Sequence, residues 1–235
     1  MTTQVVSATV SNPSMGKVFS KTATDDAWDG NTLTDTLSGQ QIGILMPNTT
    51  INQVQFQYAA GLCAWRIQNA ATLTFQRFGF GVKDGLACVA SSKMAPYTIN
   101  PNDILTAYPL PVDADATHTN ALAWIRTSKG VELFEAKNVV DATATEMKTV
   151  VNEQTLGDSM FNSTLASIHV QAEDGATVDQ VEIIDNSGGT VLTIYGGVRG
   201  DSLGAMSLDI NLRADNLAVP IGKGFSLKIT TTTQP

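Results

Sequence analysis

Apolar and polar side chains alternate with a period of two along several short stretches of the chain, as they do in half-buried β-strands. Val54, Phe56 and Tyr58 alternate with Gln53, Gln55 and Gln57. Ile168, Val170 and Ala172 alternate with His169 and Gln171, Leu208, Ile210 and Leu212 with Asp209 and Asn211, and Phe225, Leu227 and Ile229 with Ser226 and Lys228. Leu73 and Phe75 form a weaker copy of the pattern, broken by Gly79 and Gly81. Two hairpins are predicted. One joins residues 122–126 to 131–135 through Thr127-Ser128-Lys129-Gly130, and the other joins 178–184 to 190–195 through Asp185-Asn186-Ser187-Gly188-Gly189. The apolar run at 42–46, closed by Pro47-Asn48-Thr49-Thr50, reads as part of the same β pattern. Pro101, Pro109 and Pro111 mark the stretch from Tyr97 to Val112 as a loop or an edge crossing.

Only residues 141–155 read as helical, with Asp141 as a cap and Met147, Val150 and Val151 at helical spacing. The fold class is therefore all-β: an antiparallel β-sandwich, jelly-roll-like, with at most one short helix and room for two β-subdomains. Residues 1–38 show no sustained period and read as an extended N-terminal arm, followed by a β-rich region at 39–160 and a C-terminal antiparallel region at 161–235. The arm either folds onto its own domain or reaches a neighbouring subunit. In the second case Val5, Val10, Phe19 and Trp28 are its apolar anchors. Gly157-Asp158-Ser159-Met160 and Gly200-Asp201-Ser202-Leu203, each followed by an alternating strand, form a faint internal repeat.

Composition narrows the function classes. The 235 residues are 43% hydrophobic and 15% charged, with 22 acidic against 14 basic side chains and a net charge of −8. An acidic chain without a Lys/Arg cluster argues against nucleic-acid binding. No apolar stretch approaches the ~20 residues of a membrane span, and the first residues lack a signal-peptide pattern, so neither a membrane partner nor signal-directed secretion is expected. Cys63 and Cys88 lie among small apolar residues and read as buried free thiols, although they could pair.

The chemistry candidates are weak. Gly200-Asp201-Ser202-Leu203-Gly204 satisfies a nucleophile-elbow pattern, but a nucleophilic Ser202 needs a histidine base, and both His118 and His169 precede it. The motif reads as a turn, as does the integrin-type tripeptide Arg199-Gly200-Asp201. Asp25, Asp26 and Asp29 leave room for an irregular calcium site, but the bidentate glutamate of an EF-hand is missing. Asp113 with Asp115, and Glu173 with Asp174, read as solvated turn residues. Trp28, Trp65 and Trp124 are dispersed and read as core or interface residues, with a sugar-stacking role as the alternative. No enzyme activity, cofactor or metal is expected.

The segment Leu217-Ala218-Val219-Pro220-Ile221-Gly222-Lys223-Gly224-Phe225-Ser226-Leu227-Lys228-Ile229-Thr230 resembles the closing turn and strand of β-sandwich proteins from tailed-phage virions. The charge-poor strands rich in Thr, Ala, Ser and Gln before it resemble the capsid decoration, or cement, proteins among them. That resemblance implies a non-enzymatic virion protein, made in the host cytoplasm, that sits on the outside of a phage head and clamps the major capsid protein as a homo-oligomer, commonly a trimer. A receptor- or glycan-binding β-domain of a fibre or tail is the alternative, and a serine esterase using Ser202 a more distant one.

Overall fold

The computed structural model describes residues 5–23, 26–58, 61–81, 90–111, 118–173, 175–199, 208–212 and 217–233. The chain is all-β and divides into two compact units, one within Met1–Pro111 and the other within Val112–Pro235. The first unit holds β1 (Val5–Asn12), β2 (Met15–Thr22), β3 (Thr34–Asp35), α1 (Ile42–Leu45), β4 (Thr50–Tyr58), β5 (Gly61–Asn69), β6 (Phe75–Gly81), β7 (Ala90–Thr98) and β8 (Asp103–Pro111). The second holds β9 (His118–Thr127), β10 (Gly130–Val140), β11 (Thr145–Thr149), α2 (Leu156–Ser159), β12 (Ser163–Ala172), β13 (Ala176–Ile184), β14 (Thr190–Arg199), β15 (Leu208–Asn211), β16 (Val219–Ile221) and β17 (Ser226–Thr233).

In the first unit one sheet runs in the order β3-β2-β1-β4-β7 and a second in the order β6-β5-β8. All pairs are antiparallel, and the crossovers are those of a jelly-roll-like sandwich. Alternation along β4 puts Val54, Phe56 and Tyr58 into the core, where they meet Val6, Val10 and Phe19 from β1 and β2 and Trp65, Ile67 and Leu105 from β5 and β8. The N-terminal stretch is thus the middle of a sheet in its own unit. Of the four expected anchors, Val10, Phe19 and Trp28 are buried and only Val5 is exposed. The period that marks β1 is Val6, Ala8, Val10, and its small middle member hides it in the sequence.

The second unit repeats these pairings. The hairpin β9–β10 matches β1–β2, β9–β12 matches β1–β4, β13–β14 matches β5–β6, and β13–β17 matches β5–β8. Strands β15 and β16, both paired with β12, together take the place of β7. Strand β11 pairs with β10 and β17, so the sheet curls around a core of Ile125, Phe134, Met147, Ile168, Val181, Leu227 and Ile229. Both predicted hairpins form.

Three local expectations are corrected. Residues 141–155 contain the strand β11 instead of a helix, because Met147 must face the core while Glu146 pairs opposite Lys228. The apolar run at 42–46 is a helical turn, α1, so the described residues hold two four-residue helices, not one at most. The proline-rich stretch holds β8, which pairs with β5 on one side and, at Leu105 and Ala107, with residues 31–33 on the other; Pro109 and Pro111 lie beyond that second pairing.

Candidate protein-binding end of each unit

Residues 42–50 (Ile-Gly-Ile-Leu-Met-Pro-Asn-Thr-Thr) and 156–164 (Leu-Gly-Asp-Ser-Met-Phe-Asn-Ser-Thr) form the same device in the two units. Each begins with a helical turn closed by a methionine amide, from Met46 to the Ile42 carbonyl (2.9 Å) and from Met160 to the Leu156 carbonyl (2.8 Å). Each then bends at an asparagine with positive φ, Asn48 at 60° and Asn162 at 56°, a conformation that asparagine tolerates better than most residues. The Asn48 amide donates to the Ile99 carbonyl (2.8 Å) and the Asn162 amide to the Ile221 carbonyl (3.0 Å). The loop before each helix matches too. The Asp35 amide donates to Gln40 (2.8 Å) as the Thr149 amide donates to Gln154 (3.0 Å). This internal duplication, Gly-x-x-Met-x-Asn-[Thr/Ser]-Thr, stands in the sequence, but the sequence reading paired residue 157 with residue 200 instead. Gly200 to Leu203 lie outside the described residues.

In the first unit, strand register brings four features to the helix-bearing end: the β1–β2 turn, the loop 36–40, α1, and the β5–β6 turn. The Ala70 amide ties the β5–β6 turn to the Asn102 carbonyl of the β7–β8 turn (2.8 Å). Leu37, Leu73 and Ile44 are 90%, 68% and 58% exposed there, and Met15 joins them at the β1–β2 turn.

Buried carboxylates hold this end in place. Asp35 Oδ2 accepts from the amides of Leu37 (3.2 Å) and Ser38 (2.8 Å) and from the Ser38 hydroxyl (2.8 Å). Those bonds, led by the Ser38 hydroxyl, keep its carboxyl below the ordinary carboxylate value, with Lys17 adding a favourable charge. Asp103 Oδ2 accepts from the Tyr97 hydroxyl (2.5 Å) and the Asn100 amide (2.7 Å), which knots the β7–β8 turn on which α1 rests. Burial, followed by the bond to Asp103 and its charge, pushes the Tyr97 phenol far up. Arg77 lies over the Tyr97 ring at 4.8 Å.

The corresponding end of the second unit is also partly apolar, with Val151 and Phe161 exposed. Its loops, however, carry Lys129, Glu153, Asp158, Asp185 and Lys223. Asp158 is drawn into the helix itself, where Thr155 caps α2 by accepting from the Asp158 amide (3.3 Å) and donating to its carboxylate (2.8 Å).

The remaining candidates are placed as follows. Ser202, Cys88, Asp25, Asp113, Asp115 and Asp174 lie outside the described residues. Cys63 is a buried free thiol. All three tryptophans are buried, which removes them as exposed sugar platforms. Trp28 packs on Tyr108 and under the Arg66 guanidinium, and the Trp65 indole N–H donates to the Phe80 carbonyl (3.2 Å). His169 Nε2 lies 3.1 Å from the Ser167 hydroxyl. Among the described residues no group of three or more His, Cys, Asp or Glu is placed to hold a metal, and no helix is long and apolar enough to cross a membrane. Comparisons with protein families, with curated proteins and with solved structures find no match to this chain.

Proposed function

We propose that the protein is a structural, protein-binding component of a virion, a capsid decoration protein that lies on a phage head and stabilises it. The observation that carries this reading is the internal duplication. One chain carries two β-sandwich units with the same strand pairings and the same helical-turn device, so it presents one backbone framework twice, which suits a partner that is itself repetitive, as a capsid shell is. Two weak contacts to one lattice reinforce each other by raising effective concentration, so neither has to be strong alone. The surface chemistry supports the same reading: the net charge is −8, which keeps a free subunit soluble. Gln53 and Gln55, which alternate with the core residues of β4, are half-buried and uncharged.

The test is stoichiometric addition to shells. Purified protein mixed with undecorated phage heads should co-sediment in a fixed ratio to the major capsid protein and raise the temperature at which the heads open. Failure to add to any head, together with binding to glycans or a cell surface, overturns this reading in favour of a receptor-binding domain.

A further inference from the structure

We propose that Asp29 and Gly30 form a chemical modification site, where aspartate rearranges through a cyclic imide to isoaspartate. The reaction needs a side-chain carboxyl and the main-chain amide of the next residue, both free of other partners. It also needs a next residue that does not shield its amide, which glycine meets because it has no Cβ. The chain contains Asp29-Gly30, Asp84-Gly85 and Asp174-Gly175 and no Asn-Gly pair. Of these, Asp29-Gly30 is the pair with both residues described.

Residues 28–31 form a turn closed by the Asn31 amide on the Trp28 carbonyl, at 3.3 Å a long bond for a main-chain pair. Asp29 and Gly30 are its central residues, and Gly30 has a φ of 86°. The peptide between the central residues takes no part in a turn's own hydrogen bond. Both residues are exposed, and neither the Asp29 carboxylate nor the Gly30 amide has a hydrogen-bond partner among the described residues. Other Asp and Asn residues in turns are followed by an amide that is held. The Ser187 amide after Asn186 donates to Asp185 Oδ1 (2.8 Å), the Ser159 amide after Asp158 to the Thr155 carbonyl (3.0 Å), and the Ala142 amide after Asp141 to the Thr231 carbonyl (2.8 Å). A nitrogen whose proton is shared with an oxygen in this way is a poorer nucleophile than a free one.

At Asp29 the Gly30 nitrogen gives up its proton and attacks Cγ, and a carboxyl oxygen departs as water as the five-membered imide closes. Water then adds to one of the two imide carbonyls and breaks its bond to nitrogen. Opening at Cγ restores aspartate, whereas opening at the main-chain carbonyl routes the chain through Cβ and Cγ. One water is lost and one regained, so mass and oxidation state are unchanged. The isoaspartyl chain is longer by one methylene between Trp28 and Asn31, which are both buried and tied down. Trp28 lies under the Arg66 guanidinium, the Asn31 carbonyl accepts from the Ala107 amide (3.1 Å), and the Asn31 side chain donates to the Ala27 carbonyl (2.7 Å). The extra length has to be absorbed at these anchors, so the modification loosens the loop that joins β2 to β3.

The test is ageing of the folded, full-length protein at neutral pH and physiological temperature, followed by peptide mapping. An isoaspartyl peptide keeps its mass, elutes apart from its parent, and accepts a methyl group from S-adenosylmethionine through protein isoaspartyl methyltransferase. Such a peptide is expected to span Asp29 and to be absent from fresh protein and from aged Asp29→Glu, whose imide would need a six-membered ring. Aged wild type should unfold at a lower urea concentration than fresh protein, and aged Asp29→Glu should not. Absence of isoaspartate at Asp29 in the aged folded protein overturns the proposal, as does conversion at Asn186, Asp158 or Asp141 to the same extent, since free and held amides would then react alike. An isoaspartyl form with the urea midpoint of fresh protein overturns the loosening of the loop.

Discussion

Gly157 packs against Phe225 so closely that a Cβ on the glycine would lie 2.3 Å from the Phe225 backbone nitrogen, while the Gly157 amide donates to the Phe225 carbonyl at 2.7 Å. Gly43 stands in the same relation to Asp103 in the first unit, with a built Cβ 2.7 Å from the Asp103 nitrogen and 2.6 Å from the Pro101 carbonyl oxygen. In both units a helical turn is pressed onto the turn before the last strand, and only a residue without a side chain fits between two backbones. Gly43→Ala and Gly157→Ala are therefore expected to destabilise their units by about 3 kcal/mol each, since main chain cannot yield as a side-chain tip can. Gly39→Ala is the comparison. Its φ of +70° is strained for alanine but nothing lies within 4 Å, so a loss of only about 1 kcal/mol is expected. Urea unfolding of the three variants checks the order, and a Gly43→Ala protein as stable as wild type would show that the helical turn can move away.

Acid should loosen the loop that displays Leu37. The Asp35 carboxyl is held below its ordinary value of 3.8 by the bonds from Ser38 and Leu37, and Asp185 is held down in the same way by the Ser187 hydroxyl and the amides of Gly189 and Ser187. A carboxyl with a lowered folded pKa contributes stability that is fully present above its unfolded pKa and is lost as the pH falls through the folded one. Stability is therefore expected to be flat above about pH 5 and to decline below about pH 4. Asp35→Asn and Asp185→Asn should each flatten part of that decline. Urea midpoints measured across this range check it, and an Asp35→Asn protein with the wild-type acid slope would remove the carboxylate from the account.

The parts of this fold that were legible in the sequence are those where one sheet face is buried and the other wet. Val54, Phe56 and Tyr58 in β4, and Leu227 and Ile229 in β17, announce their strands because glutamine, serine or lysine fills the alternate positions. In β5, by contrast, Leu62, Cys63, Ala64, Trp65 and Ile67 are all buried, so no alternation survives to be read. Helices α1 and α2 are single turns, too short for a 3.6-residue period to show. The duplication escaped for a related reason. What the two units share is pairing geometry and a few obligatory residues, Gly43 with Gly157, Met46 with Met160 and Asn48 with Asn162, while the strand positions need only be apolar in alternation. The helix-bearing end could have been suspected from the run without charge at 36–65, a signal that composition averaged over the whole chain conceals.

Cys63 should be chemically silent in the folded protein. The thiol is fully buried on β5, and desolvation pushes its pKa well above the ordinary value of 9.0, with only a weak opposing bond from the Tyr108 backbone. The neighbouring Tyr58 phenol is likewise pushed up to about 12, first by burial and then by the Cys63 charge. A disulfide reagent applied at about pH 8 is therefore expected to leave Cys63 unmodified until denaturant is added, as read by peptide mapping. Labelling of native Cys63 within minutes would mean that β5 opens readily.

Arg66 and Trp28 offer the sharpest test of whether the N-terminal segment belongs to the first unit. The Arg66 guanidinium carbon lies 4.1 Å above the Trp28 ring and 4.8 Å from the Phe75 ring, and its Nε donates to the Thr106 hydroxyl at 3.3 Å. Trp28 meanwhile meets Tyr108, with ring centroids 5.5 Å apart. This stack fixes the loop between β2 and β3 onto β5 and β8, and it uses Trp28 as an internal pillar and not as an anchor for another subunit. A double-mutant cycle of Arg66→Met and Trp28→Leu isolates the pair from the Thr106 and Tyr108 contacts, which each single variant removes on its own. The coupling is expected to be about 1 kcal/mol, in the range for a cation partly withdrawn from water above an indole. A coupling of zero, with Trp28→Leu impairing assembly but not stability, would return Trp28 to the surface and the segment to the role of an arm.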